Sequence, residues 1–301
     1  MATETRSRFN HVITPGLFMI AVSNFKRYGE PWRTLFTVKK SKAAYEEIGY
    51  MSGLGALTEK PEGTGITYDA RIQGPPKKWV HKTWASGVRI TAECIADDLY
   101  GVMEGIAAEL GKSAAETINI IAFDMLNSIT KTAADGQVVF YDEHVRLDGS
   151  TYDNLCTAAA ISLDSLETDI AQYESLQDHR GKYINRKGSC RIVVANSALE
   201  WDLAKLFNST DNPTTANRAI NEFRNARPKL TYYTSPYVTD TNARYYIGEK
   251  DPARGPIYFT REPAVFAREG DFDTGDALFK VSLRNSIEVA DPMNIFKDAG
   301  A

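Results

Sequence analysis

KTWASGVRITAECIADDLYGVMEGIAAELGKSAAETINIIAFDMLNSI, residues 82–129, changes its hydrophobic period part-way along, and that change decides how the chain is read. Up to Ile90 the stretch continues an extended run that begins at Lys77 and carries Trp79 and Trp84. From Thr91 the apolar residues fall at steps of three and four: Ile95, Leu99, Val102, Ile106, Leu110, Ala114, Ile118, Ile121, Met125 and Ile129. That is one face of a helix. Thr91 is placed to cap it, and Glu93, Asp97 and Asp98 complement the positive helix start. Spanning about 35 residues at 1.5 Å each, such a helix is on the order of 50 Å long, more than the width of a compact small domain. Gly111 is the position expected to bend or interrupt it. A helix of this length acts as a strut.

Upstream, Ile66, Tyr68, Ala70 and Ile72 alternate with Thr67, Asp69, Arg71 and Gln73, the pattern of a half-buried strand. Gly74-Pro75-Pro76 is expected to turn the chain, since neither proline can donate to a ladder. Residues 55–90 therefore read as a long hairpin. Trp79 and Trp84, flanked by Lys77, Lys78 and Lys82, match either a stacking patch for single-stranded nucleic acid or a protein–protein contact, and the contact is favoured. Before the hairpin come a loop rich in Gly and Pro (49–65) and weak helical spacing between Lys39 and Ile48. A short amphipathic helix is expected ahead of these, with Thr14 as cap, Pro15 at its first position and Gly29 as its stop.

Downstream, a short strand at Val138 to Tyr141 leads to a helix capped by Ser162 with Leu163, Leu166, Ile170 and Tyr173 as its stripe. A polar loop (177–188) precedes a buried-looking strand, Ile192 to Ala195. Ser197-Ala198-Leu199-Glu200 has the form of a capping box opening the next helix. Strands are expected at about 229–238, 243–248 and 256–261, and a long one alternates from Phe279 to Val289. The class is α+β.

The chain has 301 residues, 43% hydrophobic and 25% charged, which fits a folded protein and excludes collagen-like, coiled-coil and disordered classes. Net charge is −4, so the whole is no basic nucleic-acid binder. The distribution is uneven: Arg6, Arg8, Lys26, Arg27, Arg33, Lys39, Lys40 and Lys42 face only Glu4 and Glu30 in residues 1–42, a basic arm on an acidic body. Cys94, Cys156 and Cys190 are widely spaced and read as reduced thiols. The apolar run Leu17 to Val22 is too short to span a membrane.

Convergent catalytic groups are few. Gly49, Gly53 and Gly55 lack the spacing of a dinucleotide loop. Asp142-Glu143-His144 reads as a solvated turn, Asp97-Asp98 as helix-start charge, and Asp271 with Asp273 as turn chemistry. His179 and Arg180 read as a mobile surface loop. Cys156 has no histidine near it in sequence. No catalytic residue, metal site or cofactor is expected.

The order of parts, with EKPEGTGITYD (Glu59 to Asp69), KTWASGVRITAECIADDLYG (Lys82 to Gly101), ELGKSAAETINIIAFDMLN (Glu109 to Asn127) and RIVVANSALEWDLAKLF (Arg191 to Phe207), resembles the major capsid proteins of tailed bacteriophages, the Hong Kong 97-type fold. The resemblance implies an N-terminal arm (1–53), an extended loop (54–86), a peripheral domain (87–185) with a spine helix at about 92–129, an axial domain (186–262) and C-terminal strands (263–301) returning to the peripheral domain. It implies a shell protein without enzymatic activity, assembling in the host bacterial cytoplasm into hexamers and pentamers of an icosahedral virion head around double-stranded DNA. The extended loop would lie over a neighbouring subunit. Scaffolding, portal and decoration proteins are the implied partners, and no membrane is. Residues 1–53 are too few for the N-terminal scaffolding segment some relatives carry, so a separate scaffold or an earlier loss of that segment is expected. No covalent cross-link is expected.

The residues expected at subunit contacts are Lys77, Lys78, Trp79, Lys82 and Trp84 of the hairpin, with Trp79 and Trp84 buried only on assembly, and Arg27, Arg33, Lys39 and Lys40 of the arm. Two other readings remain at this point: an encapsulin-like nanocompartment shell, and a soluble enzyme built around Cys156 and His179.

Overall fold

The computed structural model describes residues 10–28, 30–97, 102–184, 188–210, 221, 223–224, 229–252, 254–271 and 273–301. Glu4, Arg6, Arg8, Gly29, Asp98, Leu99 and positions 185–187 of the polar loop, all within stretches read above, lie outside them.

Two sheets share one strut. The first sheet has the order β1-β11-β12-β4: β1 (Thr37–Lys40) runs parallel to β11 (Pro256–Gly270), and β12 (Ala277–Val289) and β4 (Lys82–Ile90) follow antiparallel. Helix α1 (Asn10–Arg27) and the first half of α3 (Val102–Asn127) cover one face of it. There Leu17, Ala107, Leu110 and Ala114 pack on Ile90, Phe279 and Val281. The second half of α3 enters a core built from both sheets. Ile118, Ala122, Phe123 and Leu126 meet Leu283, Ile287 and Val289 of β12 and Tyr245 and Ile247 of the second sheet.

That second sheet has the order β7-β13-β10-β8-β9, from β7 (Leu155–Cys156), β13 (Ile295–Asp298), β10 (Arg244–Gly248), β8 (Cys190–Ala195) and β9 (Thr231–Thr234). Successive strand residues point to opposite faces. Val194, Tyr245 and Ile247 therefore face the core shared with α3, while Val193 and Tyr246 face α4 (Leu163–Glu174) and α5 (Glu200–Asn208), where Leu166, Ile170, Tyr173 and Leu203 complete a separate core. A small hairpin of β5 (His144–Val145) and β6 (Thr151–Tyr152) precedes this layer. A two-stranded ribbon, β2 (Tyr45–Met51) against β3 (Gln73–Val80), carries the segment 52–72 at its far end.

Several expectations hold. The Thr91 hydroxyl accepts from the Cys94 N–H at 3.3 Å, opening the short α2 (Ala92–Ala96), and Ser162 forms a reciprocal capping box with Ser165. The long alternating strand is β12.

Others are corrected. The strut is not one helix over 92–129: Asp97 leaves helical geometry (φ −100°, ψ 6°) as the end of α2, in keeping with the poor helix propensity of Asp, and α3 spans 26 residues, about 39 Å. Gly111 does not interrupt α3. It is where α1 crosses, and a β-carbon there would overlap the Ala21 carbonyl oxygen. The weak helical spacing between Lys39 and Ile48 gives way to β1 and β2, whose partner strands lie far along the chain and so leave no local signal. Residues 66–72 form no strand, and Gly74-Pro75-Pro76 does not turn. These residues belong to β3, since each strand of a two-stranded ribbon has an open edge that tolerates proline. Helix α5 is approached through a single turn, Ser197–Leu199, capped by Asn196 rather than Ser197. The C-terminal strands divide: β12 joins the first sheet and β13 the second.

Candidate functional site: an exposed loop and an apolar groove

The segment 54–72 projects beyond the ribbon without regular strand structure. Its tip is a type II turn: the Thr64 N–H reaches the Pro61 carbonyl at 3.2 Å, and Gly63 holds φ 81° at the position where a side chain would be strained. Leu57 and Tyr68 are almost wholly exposed, and Ile66 and Ile72 are exposed beside them. The alternation that suggested a half-buried strand is real in sequence. Within one chain, however, these side chains have nothing to be buried against.

A groove lies between α3 and the first sheet. Val80, Lys82 and Trp84 line one wall, Ile120 and Ile121 another, and Ile287 and Glu288 of β12 its floor, enclosing about 440 Å³. Trp84 stands opposite Leu283 in the β4–β12 register and so shares its face of the sheet. Its indole remains 38% exposed, and Val80 and Ile120 are more exposed still. The charges around the groove are largely used within the chain: Lys131 pairs with Asp124 at 3.0 Å and Lys77 with Glu288 at 2.8 Å.

The residues expected at subunit contacts separate into two kinds. Trp79 is 0% exposed, its ring edge-on to Phe259 and packed with Ile257 and Ala290. It closes the chain's own core, which corrects the expectation that assembly buries it. Lys77 also serves the fold, bonding Glu288 and the Thr132 carbonyl. Lys39 donates to the Pro252 carbonyl at 2.5 Å, and burial pulls its basicity down. By contrast Lys78, Lys82, Arg27, Arg33 and Lys40 are exposed. Of these, Lys78 lies 4.0 Å from the centre of the Tyr45 ring and Arg33 pairs with Glu30. Sequence reasoning passed over Leu57 and Ile120 and took Ile66 and Tyr68 for half-buried strand residues. The available signal was an apolar alternation beside a Gly-rich loop.

Groups that suggested chemistry are built into the packing. His144 is buried, bonded to Asp135 at 2.6 Å and to the Val139 carbonyl at 3.2 Å, so it is no solvated turn. His179 is buried too, stacked on Tyr50 with ring centres 4.6 Å apart. The Cys156 thiol is buried beside Asp169 and Asp298, and burial above all pushes its pKa up, away from a reactive thiolate. Among the described residues no group of acidic, histidine or cysteine side chains is arranged to hold a metal ion, and no helix is long and apolar enough to cross a membrane.

Two sheets braced by one strut helix, a helical layer on each and a projecting ribbon with a long exposed loop make up the Hong Kong 97-type capsid fold. The chain belongs to the phage capsid protein family, whose description matches residues 76–297. It is 31% identical over 137 residues to the major head subunit of the Mu-like prophage FluMu of Haemophilus influenzae, a match spanning 44% of either chain. The solved capsid of cyanophage P-SCSP1u shares the fold with a TM-score of 0.59 at 11% identity, covering 88% of this chain and 86% of that one. The mature capsid of bacteriophage PhiM1 gives 0.59 at 12% identity over 91% and 88%. A virus-like particle from Pyrococcus furiosus gives 0.57 at 10% identity over 94% and 98%.

Proposed function

We propose that this chain is the major head subunit of a tailed phage or prophage, and that the loop 54–72 of one copy seats its apolar side chains in the groove of a neighbouring copy. The observation that carries this reading is a complementary pair on one chain. The loop presents Leu57, Ile66 and Tyr68 with no cover of its own, and the groove presents Val80, Trp84 and Ile120 unfilled. A contact in which one patch meets a different patch propagates from copy to copy, as a shell of hexamers and pentamers requires. The exposed cations Arg27, Arg33, Lys40, Lys78 and Lys82 meet acidic surfaces of neighbours, of a scaffolding protein or of packaged double-stranded DNA. Portal and decoration proteins complete the head, which is assembled in the host bacterial cytoplasm. The subunit catalyses no reaction and takes no cofactor. The packing roles of His144, His179 and Cys156 support that.

Electron microscopy of the full chain, expressed alone and with its neighbouring reading frames, tests the reading. Closed shells, tubes or capsomer rings are expected, with nuclease-resistant DNA inside complete particles. Shells filled with an enzyme instead of DNA would replace the head reading with a nanocompartment. A monodisperse 33.4 kDa species under both conditions would overturn the shell reading altogether.

A further inference from the structure

The loop's exposed tip contrasts with its base, which is tied to a distant part of the chain. Ser52 and Ile72 close the base across both legs: the Ser52 N–H meets the Ile72 carbonyl and the Ile72 N–H meets the Ser52 hydroxyl, each at 2.8 Å. Three residues further out on each leg, the Asp69 carboxylate accepts from the Gly55 N–H at 2.5 Å and from the Ala70 N–H at 2.9 Å. Onto this base reaches Arg180. Its Nη1 donates to both Asp69 oxygens at 2.8 Å, its Nη2 to the Ala70 carbonyl and its Nε to the Ser52 hydroxyl at 3.2 Å. Lys182 adds a bond to the Leu54 carbonyl at 2.7 Å. One guanidinium thus engages both legs of a loop more than a hundred residues away in sequence.

Arg180 is itself held rigid. Asp178 accepts the Arg180 and Lys182 N–H groups at 2.8 and 3.0 Å, Gly181 turns with φ 74°, and the intervening His179 is buried against Tyr50 of β2. A stiff turn that offers three donors in a planar fork fixes direction in a way a single ammonium cannot.

We propose that Arg180 is a latch that sets the path of the extended loop, and so a positioning residue for the subunit contact the loop makes. The role in contact rests on the proposed function; the latch itself does not. Without it the segment 54–72 is tied to the rest of the chain, beyond the ribbon, by a single bond among the described residues, from Lys182 to the Leu54 carbonyl, and long loops open at little cost. The bound Asp69 carboxyl titrates below its ordinary range, with the Arg180 bond as the largest cause, so the latch stays closed at neutral and mildly acidic pH.

Amide hydrogen exchange at Gly55, Ala70 and Ile72, with thermolysin cleavage within 54–72, reads the latch on full-length unassembled subunits. Arg180→Ala is expected to accelerate both by about tenfold or more at an unchanged melting temperature, consistent with loss of charged hydrogen bonds. Asp69→Asn gives a smaller change in the same direction. Arg180→Lys, which keeps the charge but not the fork, is expected to behave like Arg180→Ala. Wild-type exchange and cleavage in Arg180→Ala would overturn the latch, and wild-type behaviour in Arg180→Lys would overturn the role of the fork. Shell yield separates the two readings. A loosened loop with lowered yield supports both, whereas a loosened loop with wild-type yield keeps the latch and removes the loop from the shell contacts.

Discussion

His81 occupies the corner where the ribbon hands the chain to the first sheet, and it is held neutral. Its ring nitrogens contact the Ser286 and Ser41 hydroxyls at 2.9 Å each, and Ser41 in turn reaches Glu46. Burial is the largest cause of its lowered pKa; Glu46 opposes that shift, and Arg284 and Arg261 add to it. The folded value lies below the unfolded 6.5, so the neutral ring's stabilisation is complete above that pH and is lost as pH falls through the folded value. Asp169 works in the opposite sense. Buried near Arg244 and Asp298, it is raised from 3.8 to about 6, chiefly by burial, so its contribution is complete below 3.8 and is lost as pH rises through about 6. His81→Gln is therefore expected to remove the acid-side loss of stability, and Asp169→Asn the loss that builds up between pH 3.8 and about 6. Urea denaturation of each variant between pH 4 and 8 separates the two, and an unchanged pH profile in either would refute its assignment. The tryptophans divide on the same logic of burial. Trp79→Ala empties a filled core site and should cost the unassembled subunit about 3–5 kcal/mol in chemical denaturation, whereas Trp84→Ala costs it far less and is felt in shell yield.

At the scale of elements, the crossing of α1 over α3 depends on the missing side chain at Gly111. Alanine there gains about 1 kcal/mol of helix propensity. Its methyl nevertheless overlaps the Ala21 carbonyl, and overpacking of this kind costs about 1–3 kcal/mol. A net loss is expected in urea denaturation of Gly111→Ala; a gain would mean that α1 slides freely over α3. Ile118→Asp sets an unpaired charge in the core common to both sheets and should prevent soluble, folded protein from forming. What the sequence could tell follows from the same physics. The α3 stripe, the Thr91 and Ser162 caps and the alternation of β12 are local signals and were legible. β1, β2 and the Gly74-Pro75-Pro76 passage of β3 were not, because their conformation is set by partners far along the chain. The candidate site was legible as a projecting hairpin with exposed cations. Its anchors were misassigned, since aromatic residues beside lysines look alike whether their cover comes from the same chain, as for Trp79, or is left open, as for Trp84.

Each copy carries both the exposed loop and the groove beside α3, and a closed shell in which these two meet requires every copy to use both. Each contact need be only modest, because many identical ones act together. Leu57→Ser with Tyr68→Ser removes the loop's two most exposed apolar side chains, and Trp84→Ala with Ile120→Ser cuts back two of the groove's. The loop residues and Ile120 are largely exposed. The loop variant's subunit stability should therefore stay within about 0.5 kcal/mol of wild type, while the groove variant loses only what the half-covered indole supplied. Neither variant is expected to form shells alone. Mixed in equal amounts they retain one complementary pair, the intact loop of the groove variant and the intact groove of the loop variant. A head-to-tail contact with one good half on each partner stops at a dimer, because the remaining loop and groove are both defective. Light scattering and microscopy of the mixture should therefore show dimers and no closed particles. Shells formed by either variant alone would mean that the altered patch is not a shell contact, and closed shells from the mixture would mean that the loop and groove do not meet each other.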